Sequence, residues 1–79
     1  MKNKHRGTLI IKAVDANLKY DHDWFGKQDP YVVFIIGTDK QKSKAAIRQG
    51  KYPKWNEEFS FKLKGSEKSI QVEIWDYDR

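Results

Sequence analysis

Aspartates occur in two groups in this 79-residue chain, and their spacing is the clearest sign of chemistry in the sequence. Asp21, Asp23 and Asp29 lie in a long segment between two strand-like stretches, and Asp76 and Asp78 follow the last such stretch. Side chains two positions apart in an extended chain point the same way, so Asp76 and Asp78 are expected to place two carboxylates on one side of the chain. An antiparallel sandwich can bring the two groups together at one end.

Clustered carboxylates suit a hard divalent cation. Calcium takes ~6–8 oxygen ligands, mainly from carboxylates and carbonyls, in a flexible shell. The chain has no cysteine, and its two histidines do not form a pair at metal-ligand spacing, which favours calcium over zinc. The alternative is ordinary turn chemistry, because aspartate is common in turns.

The segments that must position these aspartates resemble β-strands. Five stretches alternate or run apolar, and none has a sustained helical period; they are 8–16, 31–36, 41–48, 58–64 and 70–75. The run 31–36 is continuously apolar and is expected to be buried on both faces. Turn residues separate the stretches, so we predict a β-sandwich or barrel. Trp55, Phe59 and Phe61 are expected in the core.

Length and composition limit the possible classes of protein. A chain of 79 residues predicts one domain of marginal stability, and the absence of cysteine excludes a disulfide staple or a thiol nucleophile. Sixteen Lys and Arg against eleven Asp and Glu give a net charge of +5, which favours nucleic acid or phospholipid as a partner. The longest apolar run is too short to span a bilayer, and we expect a cytoplasmic location.

A basic stripe is predicted in the third stretch. Lys40, Lys42 and Lys44 occupy alternate positions and Arg48 continues the register, so their side chains are expected on one strand face. Such a stripe suits phosphate-bearing headgroups, each basic residue near an anionic membrane contributing ~1 kcal/mol. The alternative is a solvated edge strand on which lysine prevents aggregation.

Two adjacent aromatic residues, Trp24 and Phe25, lie between Asp23 and Gly26 in the first long loop. Aromatic side chains prefer the interface of a bilayer. We expect at least one of the two to be exposed as a membrane-inserting residue, the alternative being a ring that folds back onto the sandwich.

Four motifs in order resemble a C2 domain, the calcium-dependent, phospholipid-binding β-sandwich of protein kinase C and the synaptotagmins. They are Gly7-Thr-Leu-Ile-Ile-Lys-Ala-Val-Asp-Ala-Asn-Leu18, Asp29-Pro-Tyr-Val-Val33, Pro53-Lys-Trp-Asn-Glu-Glu-Phe-Ser-Phe61 and Val72-Glu-Ile-Trp-Asp-Tyr-Asp78. The resemblance covers residues 7–79, leaving 1–6 as a basic tail. It implies an all-β fold, an antiparallel Greek-key sandwich, with about five of the family's eight strands.

The resemblance also implies roles for individual residues. The implied calcium ligands are the carboxylates of Asp23, Asp29, Asp76 and Asp78 and the backbone carbonyls of His22 and Tyr77. The basic stripe is similar to the lysine-rich patch that many C2 domains use for phosphoinositides. The chain departs from the family after Arg79, where a further acidic ligand and later strands are expected, so a homodimer or strands from another segment are expected to cover the open edges.

Calcium-dependent membrane binding as a peripheral adaptor is the expected function, and three other classes are less favoured. A calcium-independent phosphoinositide or protein–protein module fits the same fold. Nucleic-acid binding fits the net charge, but Trp24 and Phe25 lie beside acidic residues, and we expect no nucleic-acid partner. An enzyme is not expected, because adjacent residues such as His22 and Asp23 point apart on an extended chain.

Overall fold

The computed structural model describes residues 6–19 and 29–77. Five strands make up its regular structure; they are β1 (Gly7–Asp15), β2 (Pro30–Ile36), β3 (Asp39–Lys42), β4 (Lys54–Leu63) and β5 (Gln71–Asp76). These ranges contain no helix, and so none that is long and apolar enough to cross a membrane. The all-β class predicted from the sequence is therefore confirmed.

The strands form two antiparallel sheets. One sheet has the order β1-β4 and the other the order β3-β2-β5. Side-chain hydrogen bonds link strands of the two sheets: Gln41 Nε2 donates to the Ser60 carbonyl at 2.9 Å, and Trp55 Nε1 donates to the Pro30 carbonyl at 3.0 Å. The fold is the antiparallel sandwich that the sequence predicts, and five strands are present.

The core lies between the sheets and is built from alternate strand positions. Its buried members are Ala13, Val32, Phe34, Ile36, Phe59 and Phe61, with Leu9, Ile11, Trp55 and Leu63 packed against them. The rings of Phe34 and Phe59 meet across the two sheets, with centroids 5.2 Å apart and planes tilted by 60°, an arrangement that aromatic pairs favour. The predicted core positions of Trp55, Phe59 and Phe61 are confirmed.

The predicted strand 41–48 is wrong over most of its length. Strand β3 ends at Lys42, and residues 47 and 48 form a turn in which Arg48 has a φ of 57°. The side chain of Ser43 ends the regular ladder, because its Oγ, rather than a carbonyl, accepts the Val32 N–H at 2.9 Å. Lys44 and Arg48 therefore do not share a strand with Lys40 and Lys42.

Candidate cation and lipid site

Two of the predicted calcium ligands, Asp29 and Asp76, lie together although 47 positions separate them. The Asp29 N–H donates to Asp76 Oδ1 at 2.9 Å, and the Tyr77 N–H donates to the Asp29 carbonyl at 2.9 Å. The antiparallel register, in which Pro30 faces Asp76, brings the start of β2 beside the end of β5. The fold thus places one carboxylate from each of the two acidic groups at the same end of the sandwich.

A third segment is fixed to the same point. The Arg48 N–H donates to Asp29 Oδ1, so the turn after β3 is held against the start of β2. The left-handed backbone of Arg48 is uncommon for a residue other than glycine. Arg48 is predicted from the sequence to extend the basic stripe, but its backbone lies beside Asp29.

The remaining predicted residues of this end fall outside the described residues: His22, Asp23, Trp24, Phe25 and Asp78. Of Tyr77, the structure describes the backbone N–H bond but no role for the carbonyl. Within residues 6–19 and 29–77, no group of three or more potential metal-binding side chains occurs. Asp29 and Asp76 have the hard oxygen donors that calcium prefers, but the pair supplies only part of a shell of ~6–8 oxygens.

A second candidate surface lies on the outer face of the three-stranded sheet. Val32 and Phe34 point into the core, so Tyr31 and its alternate neighbours on β2 point outward. Tyr31 is directly opposite Trp75 on β5, and the Lys42 Nζ lies 5.8 Å from the centroid of the Tyr31 ring. A cation at this distance is attracted to the ring face.

We call Tyr31, Lys40, Lys42 and Trp75 the outer patch. The register places Lys42 opposite Val33 and Lys40 opposite Ile35, so both lysines follow the aromatic pair along the sheet. Lys44 lies beyond the end of β3, where its N–H donates to Glu57 Oε2 at 2.8 Å. Only two of the four predicted stripe residues therefore belong to the outer patch.

Tyr31 and Trp75 are absent from the residues that the sequence predicts for lipid binding. Both lie close to the acidic end of the sandwich, which we define by Asp29 and Asp76: Tyr31 follows Pro30, and Trp75 precedes Asp76. Alternation within each strand places them away from the core, but only the β2–β5 register brings them together. The alternation of residues within one strand does not predict how two strands pair.

Comparison with known proteins agrees with the fold. A family model for the C2 domain matches residues 7–79. The 16 kDa phloem protein 2 of Arabidopsis thaliana is 36% identical over 72 residues, covering 91% of this chain and 49% of that protein. Elicitor-responsive protein 3 of Oryza sativa subsp. japonica is 32% identical over 73 residues, covering 92% and 51%.

Among solved structures, a C2 domain-containing protein from a putative elicitor-responsive gene is similar to this chain, with a TM-score of 0.77 and 35% identity. The match covers 90% of this chain and 52% of that one. The chain thus spans about half the length of these relatives. The family match, the sequence motifs and the sandwich fold agree, and the chain belongs to the C2 domain family.

Proposed function

We propose that this chain binds anionic phospholipid membranes in response to calcium, through the end that holds Asp29 and Asp76. C2 domains are non-catalytic modules that commonly bind membranes or lipids. The observation that carries the proposal is the bond from the Asp29 backbone N–H to Asp76 Oδ1 at 2.9 Å, since it holds two aspartates from distant parts of the sequence at one place.

The charges at this end account for a calcium response. Asp29 and Asp76 would hold the ion, with Asp23 and Asp78 as the further carboxylates proposed from the sequence. Without calcium, these side chains repel anionic headgroups. The ion supplies positive charge, which removes that repulsion and lets the basic surface of the chain, net +5, attract the membrane. Trp24 and Phe25 are then proposed to enter the interface.

Co-sedimentation with vesicles tests the proposal. We expect binding to vesicles of phosphatidylcholine and phosphatidylserine with calcium, and loss of binding with EGTA or with pure phosphatidylcholine. Asp29→Asn and Asp76→Asn should each weaken the calcium-dependent binding about tenfold or more, because each removes a charged ligand. Asparagine retains an oxygen that can accept the Arg48 or Asp29 N–H, so the backbone bonds can persist.

The matched control is Asp39→Asn, which removes the same charge from an exposed position at the other end of β2, where Asp39 pairs with Ile36. This variant should retain the calcium response. Equal binding in calcium and EGTA, or equal losses in all three variants, would contradict the proposed calcium switch.

The outer patch supports a second candidate function, calcium-independent binding of phosphoinositides. The carrying observation is the position of Lys42 over the Tyr31 ring, directly beside the Tyr31–Trp75 pair. An aromatic pair with lysines along one side suits a headgroup that has a ring body and phosphate groups. Val33 and Ile35 separate the two lysines from β5, so the cations lie along one side of the patch.

Vesicles that contain a phosphoinositide, in the presence of EGTA, separate this function from the first. Lys40→Gln combined with Lys42→Gln should weaken binding about tenfold. Lys12→Gln combined with Lys54→Gln is the matched control, because it removes two exposed lysines from the β1-β4 sheet. Equal weakening by the two pairs would show only a dependence on net charge.

A further inference from the structure

A cleft of about 500 Å³ lies between the β2–β3 turn and the loop that leads into β5. This volume is within the range of small-molecule sites, roughly 300–1,000 Å³. Strand β2 runs from the acidic end to this cleft, and its seven residues span about 20 Å at ~3.3 Å per residue. The cleft is therefore at the opposite end of the sandwich from Asp29 and Asp76.

The cleft has an apolar floor and a basic rim. Its lining includes Phe61 and Ile36, whose side chains are 1% and 6% exposed. Three lysines, Lys62, Lys64 and Lys68, also line it. The other lining side chains are polar or charged, so the cleft suits a polar ligand.

Two acidic residues, Asp39 and Glu67, line the cleft as well, so the three lysines leave a net lining charge of +1. Both Glu67 carboxylate oxygens are used by the loop itself: Oε2 accepts the Lys64 N–H at 2.7 Å and Oε1 accepts the Gly65 N–H at 2.9 Å. Gly65 has a φ of 100°, which a residue with a Cβ rarely adopts. Glu67 thus braces the loop, and the lysines remain the groups suited to bind a ligand.

We propose that this cleft binds a phosphate monoester carried on a compact, soluble polar molecule. Lysine acts on phosphate as a point charge with three rotatable donors. Lys62 lies on β4, Lys64 follows its last residue, Leu63, and Lys68 lies in the following loop, so all three lysines border the cleft. Ser66 and Ser69 add hydroxyl groups that can donate to phosphate oxygens.

A soluble source of the phosphate is favoured over a lipid headgroup, and this choice rests on the proposed function. When the acidic end docks on a membrane, the cleft faces away from the bilayer, about 20 Å along β2. A molecule bound there stays in solution, so the chain can hold it while attached to a membrane.

Calorimetric titration of the full chain with inositol trisphosphate in EGTA tests the cleft without the calcium site. The titration is carried out on Lys40→Gln/Lys42→Gln, which removes the outer-patch lysines as a competing site. Adding Lys64→Gln and Lys68→Gln should weaken binding about tenfold or more. Adding Lys12→Gln and Lys54→Gln instead should change affinity by less than about threefold.

Four results would overturn the proposal. The first is no heat of binding before the cleft lysines are changed, and the second is equal weakening by the two added pairs. The third is equal displacement of inositol trisphosphate by the same concentration of sulfate, which would show binding of any anion. The fourth is loss, on changing Lys64 and Lys68, of binding to phosphoinositide vesicles in EGTA, which would assign the cleft to a lipid headgroup. The calcium assays with Asp29→Asn remain independent of all four.

Discussion

Strands β2 and β5 are neighbours in one sheet and each places alternate apolar residues on its inner face, yet these residues differ in burial. The register places Val32 opposite Ile74 and Phe34 opposite Val72, so each pair shares the inner face. Val32 is 3% exposed but Ile74 is 38% exposed; Phe34 is 6% exposed but Val72 is 52% exposed. An apolar residue on the inner face is therefore not enough to ensure burial; β2 is the central strand of the sheet, whereas β5 has β2 as its one partner strand among the described residues.

The opposite layer explains it. In the part of the chain that the structure describes, the sheet across the core has two strands and the sheet of β2 and β5 has three. The core contacts of β1 and β4 include Val32 and Phe34 on β2 but no residue of β5. Apolar alternation thus predicts a strand, whereas the facing layer decides how much each residue contributes to stability.

Side-chain hydrogen bonds lie along the outer face of strand β5. Gln71 Nε2 donates to Glu73 Oε2 at 2.6 Å, and Trp75 Nε1 donates to Glu73 Oε1 at 3.0 Å. These three exposed or half-buried side chains form a polar ladder along the strand. Such exposed bonds contribute less to stability than burial of the β2 side chains does.

The same substitution on each strand should give the largest contrast. Val32→Ala should lower the free energy of unfolding by about 2.5 kcal/mol, because it removes buried methyl groups and leaves a cavity. Val72→Ala should lower it by less than about 0.5 kcal/mol, because that side chain is half exposed. Urea unfolding of both variants measures the difference. Equal losses would show that Val72 is covered in solution.

Much of the fold follows from the sequence for physical reasons. The continuous apolar run of β2 predicts its burial, and the alternation of Phe59 and Phe61 predicts the inner face of β4. The end of β3 is not predictable in this way, because alternation continues through Lys44 while the Ser43 hydroxyl replaces the ladder bond. A side chain that competes for backbone groups leaves no trace in the hydrophobic period.

The sequence predicts one part of the candidate site, the proximity of Asp29 and Asp76, but not its other contacts. The spacing of Asp29 and Asp76 from their strands predicts that they lie at one end, and the structure brings them together. The position of Arg48 beside Asp29 and the pairing of Tyr31 with Trp75 depend on a turn with positive φ and on strand register. Both are long-range features, which residue types and spacing do not encode.

A smaller loss of stability is expected when the hydrogen bond to the backbone N–H of Val32 is removed. Ser43 is buried, its Oγ accepts the Val32 N–H at 2.9 Å, and its hydroxyl donates to the Lys44 carbonyl at 2.9 Å. Ser43→Ala leaves a buried donor unpaired and should cost about 1.5 kcal/mol in urea unfolding. Ser60→Ala, at an exposed position on β4, is the control and should cost less than about 0.5 kcal/mol. Similar values for the two would mean that water satisfies the Val32 N–H.

The smallest effect is expected in the loop before β5 and depends on pH. The Lys64 N–H, with that of Gly65, donates to the Glu67 carboxylate and lowers its pKa from the ordinary 4.5. A lowered pKa in the folded state means that the charged form stabilises the fold above pH 4.5 and that this stabilisation is lost as the pH falls through the lowered value. Glu67→Gln should therefore melt at a lower temperature than the parent chain at pH 7, and this difference in melting temperature should close below pH 4.5.

Glu58→Gln removes one charge from an exposed position on β4 and is the control for net charge. A Glu67→Gln gap that persists unchanged at pH 3, or that Glu58→Gln reproduces, would show that the bonds to the carboxylate do not hold the entry to β5.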